Sequence, residues 1–518
     1  MTRTEQLRSR LLGYRPTDRL WGWFWPVLMA VLGGGLRLYG VGQPHQLVFD
    51  ETYYVKEASS LIDYGVEMRV PVTLKSPDAL FSNGITNVWN TTDGDLVVHP
   101  PVGKWVIAAG EMLFGQDSSV GWRFSVVVLG ALSILIIGRV ARRMFGSTLM
   151  GAIAAFLLAF EGHHFVLSRT GILDSIVMFF GLVAFAALLL DRDRTRALLA
   201  RRAGSLPDGI RPTWTLWLGS RPWRWVAGIS LGLCIGTKWS GLYFLAAFGI
   251  MTVWWDLGAR RAAGVRHWLR STFLVDGPYA FVTLVPTAAL VYLLSWVGWF
   301  RNPYGYDRQW AANNPGKGAQ WLPPAFRSLW HYETEVWNFH IGLSTPHPYQ
   351  ANPWGWTVQA RPTSFFYEGP TKGVGGCTVE VCSKAITSVG TLPTWWLGTI
   401  AIVVLLFAWL VRRDWRAGAI MAGFIGGWLP WFQYQHRTIF AFYAVAFEPF
   451  VILGCTFVLG LWLGSATSSP RRRRFGLVAV GAFLLLTFAV FAFFWPIYTA
   501  QVIPQSHWQW RMWFPSWV

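Results

Sequence analysis

The 518-residue chain has few charged side chains for its length. Asp, Glu, Lys and Arg make up 14% of the residues, whereas soluble globular domains carry about 25%. Hydrophobic residues account for 53%. Repeated apolar runs of roughly 18–25 residues are each long enough to cross a hydrocarbon core of about 30 Å. The composition therefore excludes a soluble globular protein and predicts an all-α polytopic membrane protein.

Cysteine is also scarce, because the chain has only four, too few for a disulfide scaffold. Cys234 and Cys455 lie in apolar segments, where buried free thiols are expected. Cys377 and Cys382 lie in a long polar loop, GGCTVEVC. A disulfide forms there if the loop faces an oxidising compartment. The sequence leaves this pairing open.

Acidic residues number 26 against 44 lysines and arginines, which gives a formal net charge of +18. Such a charge also occurs in proteins that bind nucleic acid, but the placement of the basic residues excludes that partner. They concentrate in short loops between apolar segments: Arg142 and Arg143, Arg192 to Arg202, Arg260 to Arg270, Arg412 to Arg416, and Arg471 to Arg474. This is the positive-inside pattern of membrane proteins.

The same pattern predicts the topology, with residues 1–20 in the cytoplasm. Residues 21–300 form an N-terminal membrane module with a first outer loop at 42–120. Residues 301–392 form a large outer loop, and residues 393–518 form the last spans and an outer tail. Eleven spans are predicted near 21–41, 121–140, 147–163, 170–190, 223–239, 240–257, 275–299, 393–411, 416–434, 438–464 and 476–498. The segment KWVIAAGEMLF is short for a span and is expected to be an interfacial helix.

Polar residues outside the Arg-rich loops converge on the outer face of this topology. The stretch VFDETYYVKEA places Asp50 and Glu51 just after the first span, which carries Arg37 near its outer end. The other polar residues predicted at this face are His99 and Lys104 in HPPVGKW, His163 and His164 in FEGHHF, Arg169 and Asp174 in SRTGILDS, Lys238 in GTKWSG, and His436 and Arg437 in YQHRTIF. Ionisable groups near a membrane are costly and tend to be functional. Acids beside Arg and Lys indicate a phosphate held by the bases and a proton transfer by a carboxylate.

Each of these residues also has a structural interpretation. An acid pair at a helix start is often a cap, and Arg37 can snorkel to the interface. Arg169 and Asp174 can support local packing. Adjacent histidines diverge on a helix, so His163 and His164 do not predict a shared metal site. Glu448, deep in the tenth span, has no assigned role.

Five motifs occur in order along the chain: VFDETYYVKEA, HPPVGKW, SRTGILDS, GISLGLCIGTKWSGLY and HRTIFAFY. They resemble those of the protein O-mannosyltransferases, glycosyltransferase family 39 of the membrane-embedded C-type superfamily. The resemblance runs from about residue 20 to the C-terminus. It implies the C-type fold with about eleven transmembrane helices. It also implies an inverting transfer of mannose from polyprenyl phosphate mannose to Ser or Thr hydroxyls of secreted proteins, at the outer face of the plasma membrane.

The resemblance carries roles onto matching positions of this chain. Asp50 is expected to be the base that activates the acceptor hydroxyl, and Glu51 to orient the sugar or the acceptor. The expected donor and phosphate-binding residues are Arg37, His99, Lys104, Arg169, Asp174, Lys238 and Arg437. Among them Arg437 is the foremost candidate to neutralise the departing phosphate, while His99 and Lys104 would shape the donor pocket. Arg and Lys can stabilise that charge directly, so no metal or other cofactor is expected.

The sequence departs from the family's eukaryotic pattern in two places. Residues 301–392 are too few to hold the MIR domain of eukaryotic members, and the first outer loop contains the insertion DALFSNGITNVWNTTDGD. Both features are typical of bacterial members. The expected partners are then a polyprenyl monophosphate mannose donor, membrane lipids, and acceptor proteins that emerge through the secretion translocon.

Two other functions would share some of these features. A polyprenyl-phosphate or sugar transporter would place its charges near the bilayer midplane on broken helices, whereas the charges here are predicted at one face. A related C-type transferase with a lipid or glycan acceptor would share the spans and the carboxylates, and it is the alternative that the sequence leaves open.

Overall fold

The computed structural model describes residues 2–207, 209–465 and 467–518. Long apolar runs form its helices, as their composition predicts. The helices are α1 Arg3–Leu12, α2 Arg19–Leu38, α3 Glu51–Tyr64, α4 Pro77–Ser82, α5 Val102–Phe114, α6 Ser119–Phe145, α7 Thr148–Ala159, α8 Gly162–Leu167, α9 Asp174–Gly204, α10 Pro222–Ile235, α11 Gly241–Ala262, α12 Trp268–Ser271, α13 Gly277–Ser295, α14 Val297–Arg301, α15 Trp310–Asn313, α16 Pro324–Gly342, α17 Leu392–Leu410, α18 Trp415–Gly427, α19 Glu448–Leu463, α20 Pro470–Tyr498 and α21 Gln505–Gln509.

Several of these helices are long enough to cross a membrane. Within the described residues, seven stretches have the required length and hydropathy: Ser119–Phe145, Asp174–Gly204, Gly241–Ala262, Trp268–Ser295, Leu392–Leu410, Ala441–Leu463 and Pro470–Tyr498. Each coincides with a predicted span, and the prediction of a multi-pass membrane protein is confirmed. Helices α2, α7, α10 and α18 lie at the other four predicted spans but are shorter or more polar. The count of eleven therefore stays a prediction.

Small residues let the first spans approach closely. A Cβ on Gly151 of α7 would lie 2.7 Å from the carbonyl oxygen of Gly138 in α6, and a Cβ on Gly138 would lie 3.0 Å from the Pro26 ring of α2. Such crossings are typical of helices packed inside a membrane, where van der Waals contact replaces the hydrophobic effect. Helix α19 lies at the centre of the bundle and contacts α6, α7, α9, α17, α18 and α20.

The basic loops gather at one end of the bundle, the Arg-rich face, where acids pair with them. Arg15 and Arg143 each lie 2.5 Å from Asp193, in the last third of α9. Arg221 bridges Asp191 and Asp256 at 2.5 and 2.7 Å. These pairs draw the N-terminal segment, the α6–α7 turn and the ends of α9 and α11 to the same end.

The opposite end of the bundle, the loop face, carries residues 39–118 and 296–391. Helix α5 lies there and has 13 residues, which is too short for a span. A three-stranded antiparallel sheet that the sequence analysis did not predict also lies there, with β1 Ser364–Glu368, β2 Cys382–Thr387 and β3 Val502–Pro504 in that spatial order. Cys377 and Cys382 form a disulfide beside β2, which answers the question that the sequence left open.

Candidate active site

The two adjacent acids at the start of α3 have different environments. Glu51 is fully buried, and Arg123 of α6 donates to it from Nε and Nη2 at 2.8 and 2.7 Å. The backbone N–H groups of Val48 and Gly171 donate to the same carboxylate at 3.0 and 2.7 Å. A carboxylate has about four acceptor positions, so protein groups saturate Glu51. This differs from the expectation that Glu51 orients the sugar or the acceptor, because its bonds fix α3 against α6 and the segment after α8.

Asp50 immediately precedes α3 but makes no capping hydrogen bond with its side chain. The structure therefore does not support its interpretation as a cap. Its side chain is half-buried, and Lys238 and Asp174 are its charged neighbours. The pKa of Asp50 is raised to about 6, because burial outweighs the opposing effect of Lys238 and Asp174 adds a smaller increase. A carboxyl group with a pKa near neutrality is suited to act as a general base.

Lys238 and Asp174, the charged neighbours of Asp50, line a cavity of about 220 Å³. We call it the donor cavity, after the ligand that the family resemblance implies for these residues. Lys238 Nζ donates to Asp174 Oδ2 at 2.7 Å and lies 5.2 Å from the centre of the Tyr443 ring. The polar residues that line the cavity include His99, Asp174, Ser240, Lys238, Tyr243, His340, Tyr434, Arg437 and Tyr443. The structure thus brings together His99, Asp174, Lys238 and Arg437, which come from four distant motifs.

His340 of α16 lines the donor cavity, although the sequence analysis did not single it out. Its Nε2 donates to the carbonyl oxygen of Val98 at 2.9 Å, so its Nδ1 is an acceptor and receives Arg437 Nη2 at 3.1 Å. The ring stacks on His99 with the two ring centres 5.3 Å apart. Burial and Arg437 lower the pKa of His340 to about 4, and burial holds the pKa of His99 well below its usual value. Both rings are therefore neutral near pH 7.

Arg437 lies in the link between α18 and α19. One Nη bonds His340, while its Nε is buried and has no hydrogen-bond partner among the described residues. The side chain is only half-buried. With the two histidines neutral, Lys238 and Arg437 supply the cavity's positive charge, and Lys238 is already paired with Asp174. Arg437 is therefore the residue best placed to hold an anion.

Lys104 lies outside the donor cavity but contacts His99, which lines it. The side chain is fully buried, and its Nζ donates to the backbone carbonyl of His99 at 2.8 Å. It also pairs with Glu67 and lies 3.5 Å from Glu57 Oε2. Lys104 thus fixes the position of His99 and does not line the cavity.

Arg37 and Arg169 are not among the residues that line the donor cavity, and their expected role in phosphate binding stays a prediction. Arg37 is fully buried and donates to the carbonyl oxygens of Gly33, Ala159 and Leu158, to the Ser168 hydroxyl, and to His164 Nδ1. Arg169 donates to the carbonyl oxygens of Arg37, Tyr39 and Tyr498. Both guanidinium groups donate their hydrogen bonds within the protein and therefore hold the ends of α2, α8 and α20 together.

A second buried polar cluster surrounds Glu448, the acid to which the sequence assigned no role. Its Oε2 lies 3.4 Å from His163 Nδ1. Glu161 accepts hydrogen bonds from the backbone N–H groups of His164 and Thr391 at 2.7 and 2.8 Å, and from Trp395 Nε1 at 2.8 Å. The adjacent histidines diverge, with His163 towards Glu448 and His164 towards Arg37. In the described parts of the chain, no group of three or more His, Cys, Asp or Glu side chains has the geometry of a metal site.

Two family models match the chain. Residues 27–275 match the model described as dolichyl-phosphate-mannose-protein mannosyltransferase, and residues 325–517 match the C-terminal four-transmembrane region of protein O-mannosyltransferase. Among curated proteins, the polyprenol-phosphate-mannose–protein mannosyltransferase of Mycolicibacterium smegmatis is 37% identical, over 97% of this chain and 94% of its own. The protein of the same name from Corynebacterium glutamicum is 33% identical, over 91% of this chain and 88% of its own.

Among solved structures, the protein O-mannosyltransferase Pmt1-Pmt2 complex of S. cerevisiae, bound to the sugar donor, has the same fold. The match has a TM-score of 0.72 at 15% sequence identity and covers 99% of this chain and 94% of the yeast chain. The predicted fold class is therefore confirmed.

Proposed function

The chain belongs to the family of dolichyl-phosphate-mannose–protein mannosyltransferases, and we propose that Asp50 is the base with which it transfers mannose from polyprenyl phosphate mannose to Ser or Thr hydroxyls of proteins. The observation that carries this assignment is the position of Asp50. Its carboxyl group makes no capping bond and interacts with the Lys238–Asp174 pair at the edge of the donor cavity.

The transfer is a single displacement at the anomeric carbon. The acceptor oxygen forms a bond to C1 of mannose as the bond from C1 to the phosphate oxygen breaks, so a β-linked donor gives an α-mannoside. Asp50 takes the proton of the attacking hydroxyl. The leaving polyprenyl phosphate keeps the bonding electron pair and gains negative charge. Arg437 and Lys238 offset that charge.

Because His99 and His340 are neutral, they limit the positive charge that the donor phosphate meets in this cavity. If His99 and His340 were protonated, the donor phosphate would meet four cations and be held too tightly to leave. Since burial keeps both rings uncharged, the phosphate meets one free guanidinium and one paired ammonium. His340 also orients Arg437 through its Nδ1.

Mannose transfer in purified membranes tests this function. The reaction contains polyprenyl phosphate mannose and a Ser/Thr-rich peptide, and the wild type is compared with Asp50→Asn. Asp117→Asn is the matched control, because Asp117 is an exposed acid in the link between α5 and α6. Transfer by the wild type and the control alone supports the proposal. Donor consumed onto a lipid or glycan, with none on peptide, would reassign the enzyme to the related transferases with other acceptors.

The transfer is also proposed to need no metal ion. The leaving group is a phosphate monoester, whose charge two cationic side chains can offset directly. We expect turnover to persist in excess chelator. Turnover that the chelator abolishes and that one added divalent metal restores would contradict this.

The donor cavity is proposed to face the outside of the plasma membrane, with the N-terminus in the cytoplasm. Two observations support this orientation. The basic loops lie at the opposite end of the bundle from the cavity, in keeping with the positive-inside rule, and the Cys377–Cys382 disulfide lies on the cavity side, which suits an oxidising compartment. Acceptor proteins would then be met as they emerge from the secretion translocon.

Cysteine labelling in intact cells tests this orientation. Trp321 is 81% exposed in the large loop of the loop face, and Thr467 is exposed in the link between α19 and α20. A membrane-impermeant maleimide should label Trp321→Cys in intact cells and Thr467→Cys only after lysis. The reverse pattern would invert the topology.

A further inference from the structure

A second cavity on the loop face, about 430 Å³ in volume, lies between the first loop and the large loop. One wall comes from Arg69 and residues 92–94, and the other from residues 303–314. Residues 92–94 belong to the insertion DALFSNGITNVWNTTDGD, to which the mechanism assigns no role. The two walls touch at Gly94, where a Cβ would lie 2.3 Å from the backbone nitrogen of Tyr306. The insertion therefore packs against the large loop and closes this space, which we call the rim cavity.

The charged side chains that line the rim cavity balance in sum, and each has a partner within the protein. Arg69 pairs with Asp93 at 3.0 Å and with Asp95 at 3.5 Å. Asp307 lies 3.1 Å from His331 Nε2, and Arg308 donates to the carbonyl oxygen of Phe300. The lining thus holds two arginines and two aspartates, all engaged within the protein. The lining therefore carries no net charge.

The rest of the lining consists of amides, hydroxyls and aromatic rings. The amides of Gln309 and Asn313 are exposed at its edge, and the Tyr304 ring is 51% exposed. Trp310 stacks on His331 with the ring centres 4.1 Å apart, which holds its indole ring rigid. Such a lining does not suit an acyl chain, which needs apolar walls. It suits a neutral ligand that offers many hydroxyls, each both donor and acceptor, and a flat C–H face for an aromatic ring. A pyranose is such a ligand.

Short and rigid connections link the rim cavity to the donor cavity. The Tyr306 ring lies 5.3 Å from the Tyr332 ring, and the Tyr332 hydroxyl bonds both the N–H and the carbonyl of Val97 at 3.1 Å. His99 follows two residues later. Because Gly94 and His99 are five residues apart, the chain between them spans at most about 17 Å. An extended acceptor peptide covers the same distance with about five residues.

We propose that the rim cavity binds a mannose already attached to an acceptor chain, and so directs the next transfer to a Ser or Thr within about five residues. This inference rests on the proposed function, because its ligand is that reaction's product. It gives the insertion a role in acceptor choice: the enzyme adds mannose preferentially to clustered hydroxyls.

A binding experiment separates this inference from catalysis. It uses the full-length Asp50→Asn protein in detergent and three probes: a peptide carrying one α-mannosyl threonine, the same peptide unmodified, and methyl α-mannoside. We expect the mannosyl peptide to bind about tenfold more tightly than the bare peptide, the value of one or two well-placed hydrogen bonds. Asn313→Ala and Tyr304→Ala, both at exposed positions, should remove that difference. Equal binding of the two peptides would overturn the proposal. Methyl α-mannoside binding as tightly as the glycopeptide would overturn the acceptor assignment and indicate a site for free glycans.

A turnover experiment then tests the consequence. With wild-type protein, a peptide carrying a mannosyl threonine five residues from a free threonine should show a lower KM than the bare peptide. Tyr304→Ala should lose this advantage and keep the wild-type rate on the bare peptide, and Asn313→Ala should behave alike. An advantage that survives in both variants would contradict the proposal. A protein that binds the glycopeptide but transfers no mannose would instead contradict the proposed function and leave the cavity assignment standing.

Discussion

Arg123 holds Glu51 by two parallel hydrogen bonds of 2.8 and 2.7 Å inside the protein, and Asp50, the next residue towards the N-terminus, has no comparable partner in its helix cap. The two neighbouring acids therefore have different environments. Glu51 supports the structure, because all its acceptor positions are taken, and Asp50 is available to receive a proton.

Substitution of Asp50 should lower turnover, whereas substitution of Glu51 should lower stability. Asp50→Asn should lower kcat by roughly 10²–10⁴-fold, the usual contribution of a positioned general base, with little change in thermal unfolding. Glu51→Gln should lower stability by about 3–5 kcal/mol, because Arg123 would be left as an unpaired buried charge. Initial rates and unfolding curves in detergent measure both effects. If the Glu51→Gln protein has normal stability and a raised KM, Glu51 takes part in substrate binding.

Turnover should depend on the protonation of Asp50. Its raised pKa of about 6 means that the active, unprotonated form is lost as the pH falls through 6, so kcat/KM should drop about tenfold per pH unit below that value and level off above it. Lys238→Met should move the midpoint upward, because Lys238 lowers this pKa. A profile unaffected by that substitution would exclude Asp50 as the titrating group.

Glu57 is the control for this profile, because burial raises its pKa to about 7 and it lies near Lys104. We expect Glu57→Gln to leave the midpoint near 6. A midpoint that disappears with Glu57 would assign the titration to that residue instead.

We expect Arg437 to bind the donor phosphate through a charged hydrogen bond. Arg437→Ala is expected to raise the donor KM by about 10- to 100-fold, the value of one charged hydrogen bond lost from the phosphate, and Arg437→Lys to restore part of it. Donor titrations at fixed peptide concentration measure this. An unchanged donor KM would remove Arg437 from phosphate binding.

Arg37 offers the contrasting case, because carbonyl oxygens, Ser168 and His164 take up its donors. Arg37→Ala should reduce the yield of folded protein and its unfolding temperature, since it leaves buried acceptors without a donor. The fraction that does fold should keep the wild-type donor KM. A stable Arg37→Ala variant with a raised donor KM would show instead that Arg37 binds the donor.

The sequence predicted the membrane helices well, because apolar runs at membrane length identify them directly. It did not predict the sheet, since β2 and β3 pair residues as distant as Ser383 and Ile503 and β3 has only three residues. Pairings of this kind leave no local periodicity in the sequence. The three strands can be identified only from the structure.

For the site, the sequence predicted the face at which each residue lies but not the direction of its side chain. Asp174, Lys238 and Arg437 turn towards the donor cavity. Arg37 instead donates to the carbonyl oxygens that end α7, and Arg169 donates to carbonyl oxygens at the ends of α2 and α20. His340 was missed because it lies on an amphipathic helix of the large loop, without a motif around it.

The donor cavity takes its polar residues from parts of the chain as far apart as His99 and Arg437. During synthesis, Asp50 and Asp174 are made long before Arg437, which follows α17 and α18. A chain that stops before α18 lacks Arg437 and Tyr443, which line the cavity. The lining of the donor cavity is therefore complete only after residue 443 has been made, when α19 and α20 are still to follow.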